Sequence, residues 1–283
     1  MTKQPHVPGN PQDMELIDEY LEHLRRAGKA ASTINGRREI LGRLDRDLPY
    51  GIGQTSVKEV ATWLYRDGWR QNTKYTYYMA AKDFYAWASD PNDPWISGNP
   101  VEELEAITNA QGIARPVTDE QLRDILARSR EPFRTWAVIA AYQGLRCIEI
   151  SRLDREHVTE QMLIVVKGKG GRPRAHDTDP YVWEVVKDMP PGPVARRQDN
   201  GERADAFYIS SLAANYWRRT LKIPASMHML RHWMGVNLQA RFKDIRVTQA
   251  ALGHRSLQST QIYTDATAEQ QRAARATLPR LAE

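Results

Sequence analysis

Met162-Leu163-Ile164-Val165-Val166, followed at once by Lys167-Gly168-Lys169-Gly170-Gly171, decides how the rest of this 283-residue chain is read. A short apolar run rich in β-branched residues and closed by glycines predicts a strand, and the glycine-lysine segment predicts its turn. Outward from this run the apolar residues recur at helical spacing. On the N-terminal side the spacing predicts a helix over Phe133 to Tyr142 and another opening at Thr118, with Gln121 completing its cap. Further back, Leu16, Ile17, Tyr20, Leu21 and Leu24, then Ile34, Ile40, Leu41 and Leu44, mark two amphipathic helices; Ser56 with Glu59 opens a third, and Trp69 to Trp87 supplies a fourth. On the C-terminal side Pro190-Pro191-Gly192-Pro193 and residues 196–203 read as an exposed loop, after which helical patterns run to the end. The expected class is mainly α with a small antiparallel β-sheet.

Asp90-Pro91-Asn92-Asp93-Pro94 and Ser97-Gly98-Asn99-Pro100 break helix, so the chain divides into a helical bundle over 10–90, a linker over 91–115 and a second domain over 116–283. With 41% hydrophobic and 27% charged residues the composition is that of a soluble globular protein and excludes a disordered chain. No run approaches the length of a spanning helix and the first residues lack the apolar core of a signal peptide, which predicts a cytoplasmic protein with no membrane partner. A lone cysteine, Cys147, excludes an intrachain disulfide and a multi-cysteine zinc site. Residues 1–110 carry 13 Lys and Arg against 16 Asp and Glu, whereas 111–283 carry 27 against 19. That excess fits a polyanionic partner, and it fits an ordinary solvated basic face equally well.

Several residues of the second domain have the chemistry of a phosphate site. Arg146, in Gly144-Leu145-Arg146-Cys147-Ile148-Glu149, follows a glycine at a helix junction, where an arginine is usually a surface ion pair. Lys169 lies in a glycine turn that can approach a phosphate backbone closely, with Lys167 two residues away as the other register. His228-Met229-Leu230-Arg231-His232 puts His228 and Arg231 on one helix face. Zinc binding by His228 and His232 is a poor reading, because the metalloprotease pattern needs a glutamate where Met229 stands. Histidine and arginine can instead donate to non-bridging phosphate oxygens. His254, in Leu252-Gly253-His254-Arg255-Ser256, precedes Tyr263 by nine positions. A tyrosine is most often an amphipathic packing residue, and a phenol attacking a phosphodiester needs the charge on the equatorial oxygens compensated. Two arginines and two histidines supply that without a metal.

The ordered set Arg146, Lys169, His228-x-x-Arg231, His254 and Tyr263 resembles the active-site signature of the tyrosine recombinase (phage integrase) family. The likeness runs over about residues 10–280 and is least specific in the N-terminal bundle, which is similar to the family's SAM-like core-binding domain. It departs from the pattern at Met229, where the family usually has Asp, and at Ala175-His176-Asp177-Thr178-Asp179, where a regular apolar strand normally follows the lysine hairpin. The first helix begins too early to leave room for a separate arm-binding domain, so the resemblance is to a short form.

The resemblance implies a site-specific recombinase that cleaves and rejoins double-stranded DNA at a core site through a 3′-phosphotyrosyl link on Tyr263. Arg146, Arg231 and His254 would stabilise developing charge, His228 would orient and assist proton transfer, and Lys169 would protonate the leaving 5′-oxygen. Glu149, one turn after Arg146, would orient its guanidinium. The resemblance further implies a tetramer on DNA, an accessory directionality protein and no cofactor. A tail from Ala266 to Glu283, with Leu278 and Leu281, would dock on a neighbour or pack within its own chain. Relaxation of supercoils by a type IB topoisomerase and a non-catalytic DNA-binding regulator stand as alternatives, with a zinc hydrolase a distant third.

Overall fold

The computed structural model describes residues 10–110, 114–166 and 173–253. Two compact units divide at residue 111. In the first, α1 (Pro11–Arg26) begins with Asn10 accepting the Gln12 N–H and with proline at its first position. It is followed by α2 (Ala31–Asp47), α3 (Val57–Leu64) and α4 (Gln71–Ala88). The helices bury Leu16, Leu21, Leu41, Leu44, Leu64 and Phe84 against one another. Two carboxylates inside this core are spent on backbone. Asp45 accepts the Ile52 N–H at 3.1 Å and Asp13 accepts that of Gly53 at 3.0 Å, while the Tyr85 hydroxyl donates to the Ile52 carbonyl. They satisfy the buried N–H groups of the loop between α2 and α3, which no helix or strand pairs. A Cβ at Gly53 would stand 2.8 Å from the Asp13 carboxylate, so only glycine permits that approach.

The expected linker over 91–115 differs from what is found. Ile96 and Leu104 pack against the first unit, and Val101 and Ile107 are buried in it. The proline, glycine and asparagine residues there end α4 without ending the packing; Ala88 caps the turn by accepting the N–H groups of Trp95 and Ile96.

The second unit is built around α6 (Phe133–Tyr142), whose Trp136 and the run Ala137 to Ala141 are fully buried. A helix so enclosed needs apolar residues all round and small ones where neighbours approach, as its alanines provide. Before it lies α5 (Asp119–Arg128), opened by Thr118 and Gln121, and after it α7 (Cys147–Ser151). The strands β1 (Met162–Val165) and β2 (Arg174–Asp177) pair antiparallel, Met162 opposite Asp177 and Val165 opposite Arg174. Then come α8 (Pro180–Val186), α9 (Ala206–Tyr216) running into a π-helical turn over Trp217–Leu221, α10 (Met227–Phe242) and α11 (Ile245–Leu252). Helix α10 packs along α6.

The segment after the hairpin, irregular by sequence, is a regular strand. Its ladder is made by backbone groups, and its side chains alternate: Arg174 and His176 are half-buried, Ala175 and Asp177 exposed. The strand therefore keeps the in-and-out pattern of an apolar one with polar residues, and its inward Arg174 is paired with the Glu149 carboxylate. Among the described residues no helix is long and apolar enough to cross a membrane.

Candidate active site

Arg146 stands immediately before α7, and its backbone N–H donates to Glu149 Oε2 at 2.9 Å. That bond occupies one of the donors a helix start leaves open, and it fixes the carboxylate at the mouth of the turn. Gly144, two residues earlier, has φ 63° and lies so tightly against α10 and α11 that a Cβ would meet Met234 Sδ at 2.7 Å and Leu252 Cδ2 at 3.0 Å. Glycine at this junction lets the chain turn from α6 into α7 with Arg146 at the turn.

Glu149 is buried, and three guanidinium groups surround it. Arg146 Nη1 lies 3.3 Å and Arg174 Nη2 2.9 Å from its Oε1, and Arg231 Nη1 lies 3.8 Å from its Oε2. Arg231 is itself only 1% exposed, with Nη1 donating to the Gly144 carbonyl and Nη2 to that of Leu252 at 2.8 Å. It thereby ties the junction before Arg146 to the last turn of α11. Arg146 keeps 28% of its side chain exposed and Arg174 21%, so these two members of the group are open to solvent while Arg231 is not. Three guanidiniums around one carboxylate give this spot an excess of positive charge among the described residues, which favours an anionic ligand.

His228 sits in the first turn of α10, ring to ring with His232 at 4.2 Å. As a residue His228 is solvent-exposed, yet its ring is partly desolvated; that desolvation, with the charges of Arg231 and Arg146, lowers its pKa. It is therefore neutral at pH 7, able to accept a proton or to hold one on the nitrogen that faces a partner. His232, 8% exposed, is pushed down to about 4 by burial, by His228 and by Arg231. Among the described residues no third His, Cys, Asp or Glu joins these two to form a group able to hold a metal ion. Burial raises the Cys147 thiol to about 11, so it is not a thiolate at neutral pH.

The structure thus gathers Arg146, Arg231, Glu149 and His228 in one place. Lys169, its alternative Lys167, His254, Tyr263 and the tail from Ala266 lie outside the described residues. Sequence reasoning missed Arg174. Its only signal was its position at the inward phase of a strand beside the lysine hairpin, and without apolar neighbours that phase could not be read.

Residues 115–270 match the Phage integrase family, and the chain belongs to that family; it is a tyrosine-type site-specific recombinase. Among its curated relatives, the tyrosine recombinase XerA of Thermococcus onnurineus strain NA1 is 25% identical over 276 residues, covering 92% of this chain and 94% of the relative. In fold it is similar to a lambda integrase fragment in a dimer bound to a COC′ core site, with a TM-score of 0.71 at 17% identity over 90% of this chain and 96% of that one. It is also similar to the XerH site-specific recombinase bound to a palindromic difH substrate, with a TM-score of 0.67 at 17% identity over 92% and 83% of the two chains.

Proposed function

We propose that this chain cleaves and rejoins double-stranded DNA at a core recombination site, with Tyr263 as nucleophile. The phenol gives up its proton with the help of neutral His228, its oxygen attacks the scissile phosphorus, the bond from phosphorus to the 5′-oxygen breaks, and the departing oxygen takes a proton from Lys169. A 3′-phosphotyrosyl link and a free 5′-hydroxyl result; a partner strand's 5′-hydroxyl then reverses the step. Phosphodiester energy is kept in the link, so no nucleotide hydrolysis is needed. Arg146, Arg231 and His254 stabilise charge on the non-bridging oxygens, and neutral His228 orients the phosphate and assists proton transfer.

The observation that carries this reading is the convergence of Arg146 and Arg231 on one buried carboxylate beside His228. The first unit and the catalytic unit would each contact the duplex through its phosphates. Exchange between two sites calls for four protomers on DNA, and direction would come from an accessory protein. The reaction takes place where the DNA lies, in the cytoplasm of a bacterial cell or phage-infected host.

The test is covalent capture on a nicked suicide duplex. Tyr263→Phe is expected to abolish the protein–DNA adduct while site binding stays near wild type, since one oxygen is removed from a group used for chemistry; an adduct formed by the variant overturns the assignment. Product exchange between two plasmid sites separates recombination from simple relaxation of supercoils. Lys169→Ala should cleave normal DNA slowly and recover on a 5′-bridging phosphorothiolate, whose thiolate leaves unprotonated. Recovery by Lys167→Ala instead would move the acid to that residue.

A further inference from the structure

We propose that Arg174 is a positioning residue for strand cleavage: it fixes the Glu149 carboxylate that holds Arg146 and anchors the chain immediately before His254. The inference rests on the recombinase reading. One face of the Arg174 fork donates to Glu149 Oε1 at 2.9 Å, the same oxygen that takes Arg146 Nη1 at 3.3 Å. The other nitrogen, Nη1, donates to the Gly253 carbonyl at 3.1 Å. Arg231 takes the preceding carbonyl, that of Leu252, at 2.8 Å. Two consecutive carbonyls at the end of α11 are therefore each held by an arginine that also meets Glu149.

Carbonyls at a helix C-terminus lack intrahelical partners and carry the negative end of the dipole, so cations are favoured there. A planar guanidinium can serve such a carbonyl and a carboxylate together; an ammonium is a point charge and cannot span both in one plane. Gly253 is fitted to this contact. Its φ of 59° is left-handed, and a Cβ there would collide with the Arg174 guanidinium. Among the described residues the buried Nε–H of Arg174 has no hydrogen-bond partner.

The consequence for catalysis is competition at Glu149. Arg174 takes up part of the charge on Oε1 that Arg146 would otherwise neutralise alone, so Arg146 is held in place yet remains able to bind a phosphate. Removing Arg174 leaves Glu149 to clasp Arg146 more tightly and frees the segment that leads into His254. Both effects slow the chemical step and leave DNA affinity nearly unchanged, because both terminal nitrogens of Arg174 are already engaged by Glu149 and Gly253.

The experiment compares single-turnover cleavage by wild type, Arg174→Met, Arg174→Lys and Gly253→Ala on nicked suicide duplexes from the locus flanking the coding sequence. Each duplex carries either a normal phosphodiester or a methylphosphonate at the scissile position. A methylphosphonate lacks the anionic non-bridging oxygen, so it has little use for the arginine clamp. Arg174→Met is expected to cleave the phosphodiester on the order of tenfold to a hundredfold more slowly than wild type, as for loss of part of a preorganised donor set. DNA binding should stay within a few fold, and the difference in rate should shrink to a few fold on the methylphosphonate. Arg174→Lys should recover part of the rate, and Gly253→Ala should show the same substrate-dependent defect by displacing the fork.

A defect equal on both substrates would mean that Arg174 only supports the fold, and an unchanged rate on the phosphodiester would mean that it supports nothing at the site; either overturns the inference. Should Arg174→Met not fold, the lysine and alanine variants decide by the same ratio. Failure of wild type to form any adduct would instead overturn the recombinase reading.

Discussion

At the start of α3 the Glu59 carboxylate accepts the backbone N–H of Ser56 at 2.7 Å, and at the start of α7 the Glu149 carboxylate accepts that of Arg146 at 2.9 Å. The local device is the same, an acid three residues into a helix reaching back to the residue before it. The surroundings differ. Glu59 is half-buried and also takes the Ser56 hydroxyl at 2.7 Å, whereas Glu149 is buried beneath three guanidiniums. A helix cap is a small, local way to fix a carboxylate; burying that carboxylate makes it the point from which charge is arranged. The first unit uses the device for shape and the second uses it for electrostatics.

The comparison breaks most sharply at Glu149. Glu149→Gln keeps an oxygen for the Arg146 N–H and removes the charge that three arginines share, so cleavage should fall a hundredfold or more, and stability by about 3 kcal/mol as for a buried ion pair deprived of one partner. Denaturant unfolding and suicide-substrate cleavage measure the two. Glu59→Gln, making the same change at α3, should leave cleavage at the wild-type rate. Equal loss of cleavage in both variants would dissolve the contrast.

A second effect comes from the histidines under the same arginines. His232, about 4 in the folded state against an ordinary value of 6.5, is neutral when folded while the unfolded chain takes up a proton first. Stability is therefore full above pH 6.5 and falls as pH drops toward 4, by up to about 3 kcal/mol for this group, and His228 contributes with the same sign. His232→Gln should flatten the unfolding free energy across that window. A wild-type slope retained by the variant would place the titrating group elsewhere. The smallest effect belongs to the first unit: Ser56→Ala should cost about 1 kcal/mol of stability by removing the hydroxyl cap, with no change in cleavage.

Where the sequence was legible follows the same divide. Caps and amphipathic periods are local, and Ser56 with Glu59, Thr118 with Gln121, the span from Phe133 to Tyr142 and the β1 run could all be read from neighbours within one turn or one strand. The packing of Val101 and Ile107 could not, because helix breakers report the end of a helix and carry no information about what the following chain covers. In the site, Arg146, His228 and Arg231 were legible because their spacing is characteristic of a family. Arg174 was not: its partners Glu149 and Gly253 stand 25 and 79 positions away, and a strand of Arg, Ala, His and Asp shows no apolar alternation from which to infer a face.

That polar strand bears on how the chain reaches its native state. A hairpin of apolar residues checks its register by burying oil, and a slip of one position is rejected because greasy side chains turn to water. Here β2 offers no such check. A one-residue slip would carry Ala175 and Asp177 to the inward phase in place of Arg174 and His176, setting a second carboxylate towards Glu149 and taking Arg174 from the Gly253 carbonyl. The pairing is proofread by repulsion between like charges, so raised salt, which screens such repulsion, should make misregistered refolding commoner in this protein even as the apolar cores of both units form unimpeded.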